Sequence, residues 1–313
     1  MQGIIDAGQA FFDGLTSVSW GPLALAVLCH IAKVAVRTRA WRNIVQAAYP
    51  ETNVRWRWVY GSYLAGVGVN AIVPARGGDV LKLYLLKHRV EGSTYPTLGA
   101  TLIVDTLFDT VVASLLVIWA IAFGLLPGLD VLPSLPEVEW LYVLQHPRLA
   151  VLLAGSLVVL AVVGLTWGSR RVADFWRRVR QGFTILREPQ EYIRRVALLD
   201  AFDWSLRLLS VYFFLQAFGL PSDMQSVLLV QVTQSLATAL PFTPGGVGTE
   251  QALLVYVFRG EAPTSALLSF SIGVKIVVTV VNVTFGFLAI LVMLRTFRWR
   301  DHVDRDQASI ERA

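Results

Sequence analysis

The stretch VYGSYLAGVGVNAIVPARGGD, residues 59–79, decides the fold of this chain. Its apolar part, 59–73, is shorter than the roughly 20 residues that a helix needs to cross a membrane. An arginine and an aspartate then follow in PARGGD, at 74–79, where a spanning helix would carry hydrocarbon side chains. Because proline stops a helix and glycine permits a turn, the stretch predicts a helix that enters the membrane, breaks and turns back.

A second stretch repeats this arrangement in the other half of the chain. The run MQSVLLVQVTQSLATAL at 224–240 is followed by PFTPGGVGTE at 241–250. Each break precedes a short apolar segment, which is DVLKLYLLKH at 79–88 in the first case and TEQALLVYVF at 249–258 in the second. The sequence therefore predicts two re-entrant helical hairpins.

The composition is that of an integral membrane protein. Of the 313 residues, 55% are hydrophobic and 16% are charged, whereas soluble domains are about 25% charged. Full spans are predicted at 18–36, 97–123, 149–167, 196–218 and 264–294. Gly273 and Gly286 are expected to tilt or kink the last span. We expect an all-α, polytopic helix bundle that forms a single transmembrane domain over residues 1–313.

Basic residues set the expected orientation. They concentrate at 37–57, starting with Arg37, at 168–195 and in the tail at 295–313, whereas 125–147 contains acids and no Lys or Arg. By the positive-inside rule the three basic segments are cytoplasmic. We therefore expect a multi-pass protein of the cell (inner) membrane with its N-terminus outside and a cytoplasmic C-terminal tail, and we expect no nucleic-acid partner.

This orientation fixes how the hairpins run. Residues 58–90 start and end inside, and residues 224–259 enter from the opposite face. The halves 18–123 and 196–294 then have the same order of span, hairpin and span with opposite orientation, and 149–167 connects them. Such an inverted repeat typically binds its substrate near the midplane, where two broken elements meet.

The two breaks predict an anion site. The returning helix of each hairpin begins at depth, so its free N–H groups and positive dipole end point toward the membrane centre. Arg76 adds a guanidinium group suited to phosphate, and glycines after Pro244 leave backbone amides open. A structural alternative is that Asp79, Thr249 or Glu250 only caps a helix. The predicted substrate-binding residues are Asn70, Arg76, Gly77, Gly78, Asp79, Pro244, Gly245, Gly246, Gly248, Thr249, Glu250 and Lys275.

Further charged residues lie within the spans, where charge is costly and usually functional. Asp105 and Asp109 are one turn apart and are candidates for pairing with Lys275 or Arg76. Asp203 and Arg207 have the same spacing, and the structural interpretation of this pair is an internal salt bridge. The four residues Asp105, Asp109, Asp203 and Arg207 form the predicted proton-coupling or ion-pair set.

Two residues near the cytoplasmic end of the first span have structural interpretations. Lys33 is expected to snorkel to the interface, and His30 is expected to be structural. Neither belongs to the predicted site.

The motifs NAIVPARGGDVLKLYLL and ALPFTPGGVGTEQALL, with RTRAW at 37–41, resemble the lysylphosphatidylglycerol synthase transmembrane-region family. These flippase-like membrane proteins include the flippase half of the bacterial multiple peptide resistance factor. The resemblance implies translocation of a lipid between leaflets, in some members of an aminoacylated phosphatidylglycerol, and members occur beside glycolipid and polyprenyl-lipid pathways. Arg76, Gly78 and Asp79 match the first family motif, and 244–250 matches the second.

Three functional classes remain open from the sequence. The first is a lipid flippase that moves an anionic or phosphate-bearing lipid by alternating access around a midplane anion site. The second is a membrane-embedded enzyme of lipid or polyprenyl-phosphate metabolism, and the third is a non-catalytic subunit that regulates a lipid synthase or glycosyltransferase. We expect the first class, with no catalytic residues, metal or cofactor and with membrane lipids as the partners.

Overall fold

The computed structural model describes residues 18–73, 77–125, 173–239 and 248–294, and its regular elements are helices. They are α1 (Trp20–Ala48), α2 (Trp56–Asn70), α3 (Gly77–Lys87), α4 (Tyr95–Ala122), α5 (173–182), α6 (Leu198–Ala217), α7 (Met224–Ala239), α8 (Thr249–Val257) and α9 (Thr264–Leu294). A 3-10 turn at Thr184–Arg187, a helical turn at Pro189–Tyr192 and a π turn at Ile193–Ala197 lead into α6. The predicted all-α class is confirmed for these residues.

Three helices are long and apolar enough to cross a membrane, namely Trp20–Ala48, Tyr95–Ala122 and Thr264–Met293. They correspond to the spans predicted at 18–36, 97–123 and 264–294. The fourth, predicted at 196–218, is a helix of 20 residues that carries Asp200, Asp203 and Arg207 and is therefore less apolar. The span predicted at 149–167 and the tail at 295–313 lie outside the described residues.

The first helix is longer than the sequence predicted. The first span was predicted at 18–36, with the basic segment 37–57 after it, but α1 continues to Ala48. Arg37 is therefore a helical residue, and it is only 8% exposed. The predicted end of the first span was wrong, because no Gly or Pro interrupts the chain between Arg37 and Pro50 and the helix has no reason to stop earlier. The cytoplasmic side of this basic segment stays a prediction.

Helices α1 and α6 pack antiparallel, and hydrogen bonds fix their register. The Ser19 backbone N–H donates to the Ala217 carbonyl at 2.9 Å, and the Ser210 hydroxyl donates to the Ala26 carbonyl at 2.9 Å. Toward the other end, the Asn43 amide donates to the carbonyl of Arg195 at 2.7 Å. The residue numbers of each pair sum to nearly the same value, so residue 37 of α1 lies level with residue 200 of α6.

Helices α2 and α3 form a tight pair joined by the short connection 71–76. A methyl group added at Gly78 would lie 1.9 Å from the Gly66 carbonyl oxygen, so the two backbones touch where these glycines meet. With 15 and 11 residues, the helices are about 22 and 16 Å long, which is too short for a hydrocarbon core of about 30 Å. The two helices of the hairpin predicted at 58–90 are present, and their re-entrant path through a membrane stays a prediction.

Helices α7 and α8 supply the corresponding short pair at 224–259, with lengths of 16 and 9 residues. Helix α9 covers both short pairs. It runs without interruption through Gly273 and Gly286, and a methyl group at Gly286 would lie 2.6 Å from the Cα of Gly68 in α2. Gly286 therefore allows a close backbone contact, which small residues permit in membrane bundles. The tilt or kink expected at Gly273 and Gly286 stays a prediction. The inverted repeat stays a prediction.

Candidate functional site

A cavity of about 990 Å³ lies between helices α1, α4, α6, α7, α8 and α9. The first half of the chain contributes α1 and α4, and the second half contributes the other four helices. The walls are mixed: apolar residues such as Val117, Phe214 and Val278 alternate with hydroxyl and amide groups such as Ser235 and Gln231. An amphipathic cavity between the two halves of a helix bundle is the kind of place in which polar ligands bind.

Charged side chains of both signs line this cavity. Lys33, Arg207 and Lys275 supply positive charge from three different helices, and Asp109 and Glu250 supply negative charge. Cations therefore exceed acids by one among the described lining residues, with His30 left out of this balance. Lys33 was not assigned to the site from the sequence, but it lines the cavity. Its expected position at the membrane interface stays a prediction.

The histidine of α1 contacts another helix, and its expected structural role stays a prediction. Its Nε2 atom lies 3.0 Å from the Asn282 Oδ1 atom of α9, so His30 connects two long helices. It lines the cavity at the same time.

An ion-pair cluster adjoins the cavity and is centred on Arg37. The Arg37 Nη2 atom lies 3.0 Å from Asp105 Oδ2, and its Nη1 atom lies 2.5 Å from Asp109 Oδ2. The same Nη1 atom lies 3.9 Å from Asp203 Oδ2. Three helices, α1, α4 and α6, are joined by this one guanidinium group. Arg37, which the sequence analysis did not name as their partner, lies at hydrogen-bond distance from both Asp105 and Asp109. Pairing of these acids with Lys275 or Arg76 stays a prediction.

Asp109 connects the cluster with the cavity. Its Oδ1 atom accepts a hydrogen bond of 2.7 Å from the Trp204 indole N–H. Its Oδ2 atom contacts Arg37, and it lies 3.7 Å from Arg207 Nη2. Arg207 Nη2 also lies 3.9 Å from Asp203 Oδ2, as the predicted salt bridge requires. Asp109 therefore belongs both to the cavity wall and to the buried cluster.

In the first hairpin, the predicted site residues that are described form hydrogen bonds with one another. The Asn70 Oδ1 atom accepts a hydrogen bond of 2.7 Å from the Gly78 N–H, and the Asn70 amide donates to Asp79 Oδ1 at 3.1 Å. Lys82 Nζ lies 2.9 Å from the same Asp79 oxygen. The helix begins at Gly77 and Asp79 lies in its first turn, so the structural alternative that Asp79 caps this helix was wrong. Its first turn is capped by Asn70.

The described residues of this hairpin do not line the cavity. Asn70, Gly77, Gly78 and Asp79 lie at the contact between α2 and α3, and the Gly78 amide is already bonded. Arg76 lies outside the described residues, so its role as an anion ligand stays a prediction.

The second hairpin does reach the cavity. The Gln234 amide donates to Glu250 Oε1 at 3.5 Å, and Glu250 is close enough to Lys275 for an electrostatic interaction. All three residues line the cavity. Of the predicted substrate-binding residues that are described, Glu250 and Lys275 are the ones that the structure brings together there.

The start of α8 is capped differently from the prediction. Gly248 has a φ of +89°, and its N–H donates to the Gln251 Oε1 atom at 2.6 Å. The cap is therefore made by Gln251, not by Thr249 or Glu250, and the Gly248 amide is not open to a ligand. Pro244, Gly245 and Gly246 lie outside the described residues.

Comparison with known proteins places the chain among membrane proteins. It is 27% identical to a UPF0104 membrane protein of Methanocaldococcus jannaschii over 193 residues, which are 61% of this chain and 79% of that protein. It is 25% identical to the glycosyltransferase AglD of Haloferax volcanii over 324 aligned positions, which cover 88% of this chain and 50% of AglD. The chain thus spans half the length of AglD. No solved structure matches it significantly.

The family comparison covers most of the chain. The profile for the lysylphosphatidylglycerol synthase transmembrane region matches residues 7–286, and this match includes the lining residues of the cavity and the Arg37 cluster. The chain belongs to the lysylphosphatidylglycerol synthase transmembrane-region family.

Proposed function

We propose that this protein moves an anionic or phosphate-bearing lipid between membrane leaflets, with the headgroup held in the cavity between its helices. The observation that carries this proposal is the cavity itself, into which Lys33, Arg207 and Lys275 converge. Ammonium and guanidinium groups form the strong, charge-assisted hydrogen bonds that bind phosphate.

The size and the walls of the cavity support a headgroup as the ligand. A volume of about 990 Å³ is at the upper end of ligand cavities, which are about 300–1,000 Å³. Its polar groups match a headgroup, and its apolar surface tolerates the first methylenes of the acyl chains. The rest of the chains would remain in the bilayer.

The arrangement of the helices supports alternating access. Both halves of the chain line the cavity, so rocking of one half against the other would open it to each leaflet in turn. The two short helix pairs are the broken elements that such transporters use. Asp109 is placed to transmit the change, because it contacts Arg37 and Trp204 while it lines the cavity.

The similarity to AglD favours an enzymatic function as the alternative. AglD, half of which the chain matches, is named as a glycosyltransferase. An enzyme acting on a lipid phosphate would also need a cationic cavity. A regulatory membrane subunit is the third class, and it predicts no activity from the isolated chain.

Transbilayer movement in proteoliposomes tests the proposal. Fluorescent phosphatidylglycerol, phosphatidic acid, phosphatidylcholine and a polyprenyl phosphate are quenched from outside by dithionite, and the rate of quenching of the inner pool is measured. We expect movement of at least one of the anionic lipids and a reduction of about tenfold or more for Lys275→Gln, since one charge-assisted contact is worth about 1.5–3 kcal/mol.

Arg259→Gln is the matched control. Arg259 is exposed, follows α8 and does not line the cavity, so this variant removes the same charge from nearby and is expected to retain the wild-type rate. Equal rates in the wild type and Lys275→Gln would contradict the proposed site. Chemical conversion of the lipid by the purified chain would favour the enzymatic class.

A further inference from the structure

Asp200 is a buried carboxyl group for which the transport cycle proposed above has no role. It lies in the first turn of α6 and is 3% exposed. Neither of its carboxylate oxygens has a hydrogen-bond partner among the residues that the structure describes. Burying an ionised carboxylate without such partners is costly, whereas a neutral carboxylic acid is tolerated far better.

The surroundings of Asp200 are rich in charge. The register of α1 on α6 places Asp200 level with Arg37. The charged and titratable groups that face it or its immediate neighbours are Lys33 and Arg37 of α1, Tyr63 of α2, Lys82 of α3, Asp105 and Asp109 of α4, Tyr192 of the preceding turn, and Asp203 and Arg207 of α6.

None of the ion pairs among the described residues of this group includes Asp200. Arg37 already bonds Asp105 and Asp109, and Asp203 has both Arg37 and Arg207 at 3.9 Å. Four carboxyl groups therefore share two arginines at the centre of the cluster. The negative charge of the other three acids favours a proton on the fourth. Asp200 is distinguished from them because both of its oxygens lack a hydrogen-bond partner and no described arginine forms an ion pair with it.

We propose that Asp200 is a proton-binding site and that gain and loss of its proton is linked to the movement of lipid through the cavity. The link rests on the function proposed above, and the proton site itself does not. Only an O–H bond is made or broken. Once its proton has left, the Asp200 carboxylate competes with Asp105 and Asp109 for the Arg37 guanidinium, and this loosens Asp109 at the cavity wall.

Infrared spectroscopy of the purified protein tests the proton site without any transport. A protonated carboxylic acid has a C=O stretching band that an ionised carboxylate lacks, and the band shifts in D₂O. At neutral pH we expect such a band in the wild type and its loss in Asp200→Asn, a near-isosteric change that mimics the neutral acid.

Asp223→Asn is the matched control for this measurement. Asp223 is an exposed helix cap, so its replacement is expected to leave the band in place. Absence of the band in the wild type, or its persistence in Asp200→Asn, would overturn the assignment of a proton to Asp200.

Lipid movement under an imposed pH gradient tests the linkage. The wild type and Asp223→Asn are expected to change their rate with the gradient, and Asp200→Asn is expected to lose that response. A response retained in Asp200→Asn, or none in the wild type, would overturn the linkage. If the wild type moves no lipid at all, the proposed function fails with the linkage, and the infrared band still decides the proton site.

Discussion

Replacing Arg37 with methionine should weaken the folded protein severely. Methionine keeps the length and apolar contacts of the arginine stem but removes the guanidinium. Asp105 and Asp109 would then lose the partner that contacts them at 3.0 and 2.5 Å. Asp105 is 3% exposed, so water cannot replace the missing charge.

The expected magnitude follows from this burial. Removing one partner of a buried ion pair typically costs about 3–5 kcal/mol because the other charge is left uncompensated. Native proteins are stable by only about 5–15 kcal/mol, so the loss is a large fraction of the total. The stability of Arg37→Lys should lie between that of the wild type and that of Arg37→Met. Lysine keeps a positive charge, but an ammonium group cannot reproduce the fork that bonds both carboxylates.

The surface pair of Arg194 and Glu191 provides the comparison. Its atoms Nη2 and Oε1 are 2.9 Å apart, but the side chains are 68% and 32% exposed. Such pairs contribute about 0–1 kcal/mol, so Arg194→Gln should be nearly neutral.

The assay is reversible unfolding in mixed detergent micelles, followed by tryptophan fluorescence, for the wild type and the three variants. The double variant Arg37→Met/Asp105→Asn should regain part of the loss, since it removes one of the uncompensated charges. If Arg37→Met costs no more than Arg194→Gln, the reasoning about the buried cluster is refuted.

Two further predictions concern packing and capping. Gly286→Ala should destabilise the protein by about 1–3 kcal/mol, because the new methyl would lie 2.6 Å from the Cα of Gly68. Gly99→Ala should be neutral or stabilising, because nothing lies within 4 Å of the added methyl. Equal stabilities of the two variants in the same unfolding assay would contradict the contact between Gly286 and Gly68. Hydrogen bonds from the Ser226 hydroxyl and backbone N–H lower the pKa of Asp223 from its ordinary value of 3.8, so this cap stabilises the protein above about pH 4 and the benefit is lost as the pH falls through the lowered folded pKa. Asp223→Ala should therefore cost about 1 kcal/mol at pH 7 and less at pH 3, and a deficit that grows toward low pH would show that the sign is wrong.

Long helices and chain breaks were predictable from the sequence because each has a local cause. Apolar runs longer than about 20 residues mark spans, and the spans at 18–36, 97–123 and 264–294 all fall on long apolar helices. Proline and glycine mark breaks, and PARGGD and PFTPGGVGTE both separate two short helices.

The partners of the buried charges were not predictable in the same way. The first span was ended at residue 36 because arginines begin there, and the positive-inside rule counts such arginines without asking whether the helix continues. The signal that was missed is the lack of any Gly or Pro before Pro50. Which carboxylates surround Arg37 depends on how α1, α4 and α6 pack, and this information is distributed over residues far apart in the chain.

The glycines show the same limit. Gly78 and Gly286 look like sites of turning or kinking when only their neighbours in sequence are considered. In the folded chain they allow backbones to touch, and Gly248 alone among the predicted site glycines that are described requires a positive φ. Lys33 was likewise left out of the site because of its place near a helix end, whereas it lines the cavity.

If lipid headgroups pass through the cavity, blocking the cavity should stop their movement. Ser114 lines the cavity, whereas Ser205 is exposed on α6 and does not line it. In a Cys29→Ala background, Ser114→Cys and Ser205→Cys each offer one thiol for a bulky, membrane-permeant maleimide. We predict that labelling at 114 stops transbilayer movement of the lipid and that equally complete labelling at 205 leaves it unchanged; undiminished movement after labelling at 114 would contradict the account.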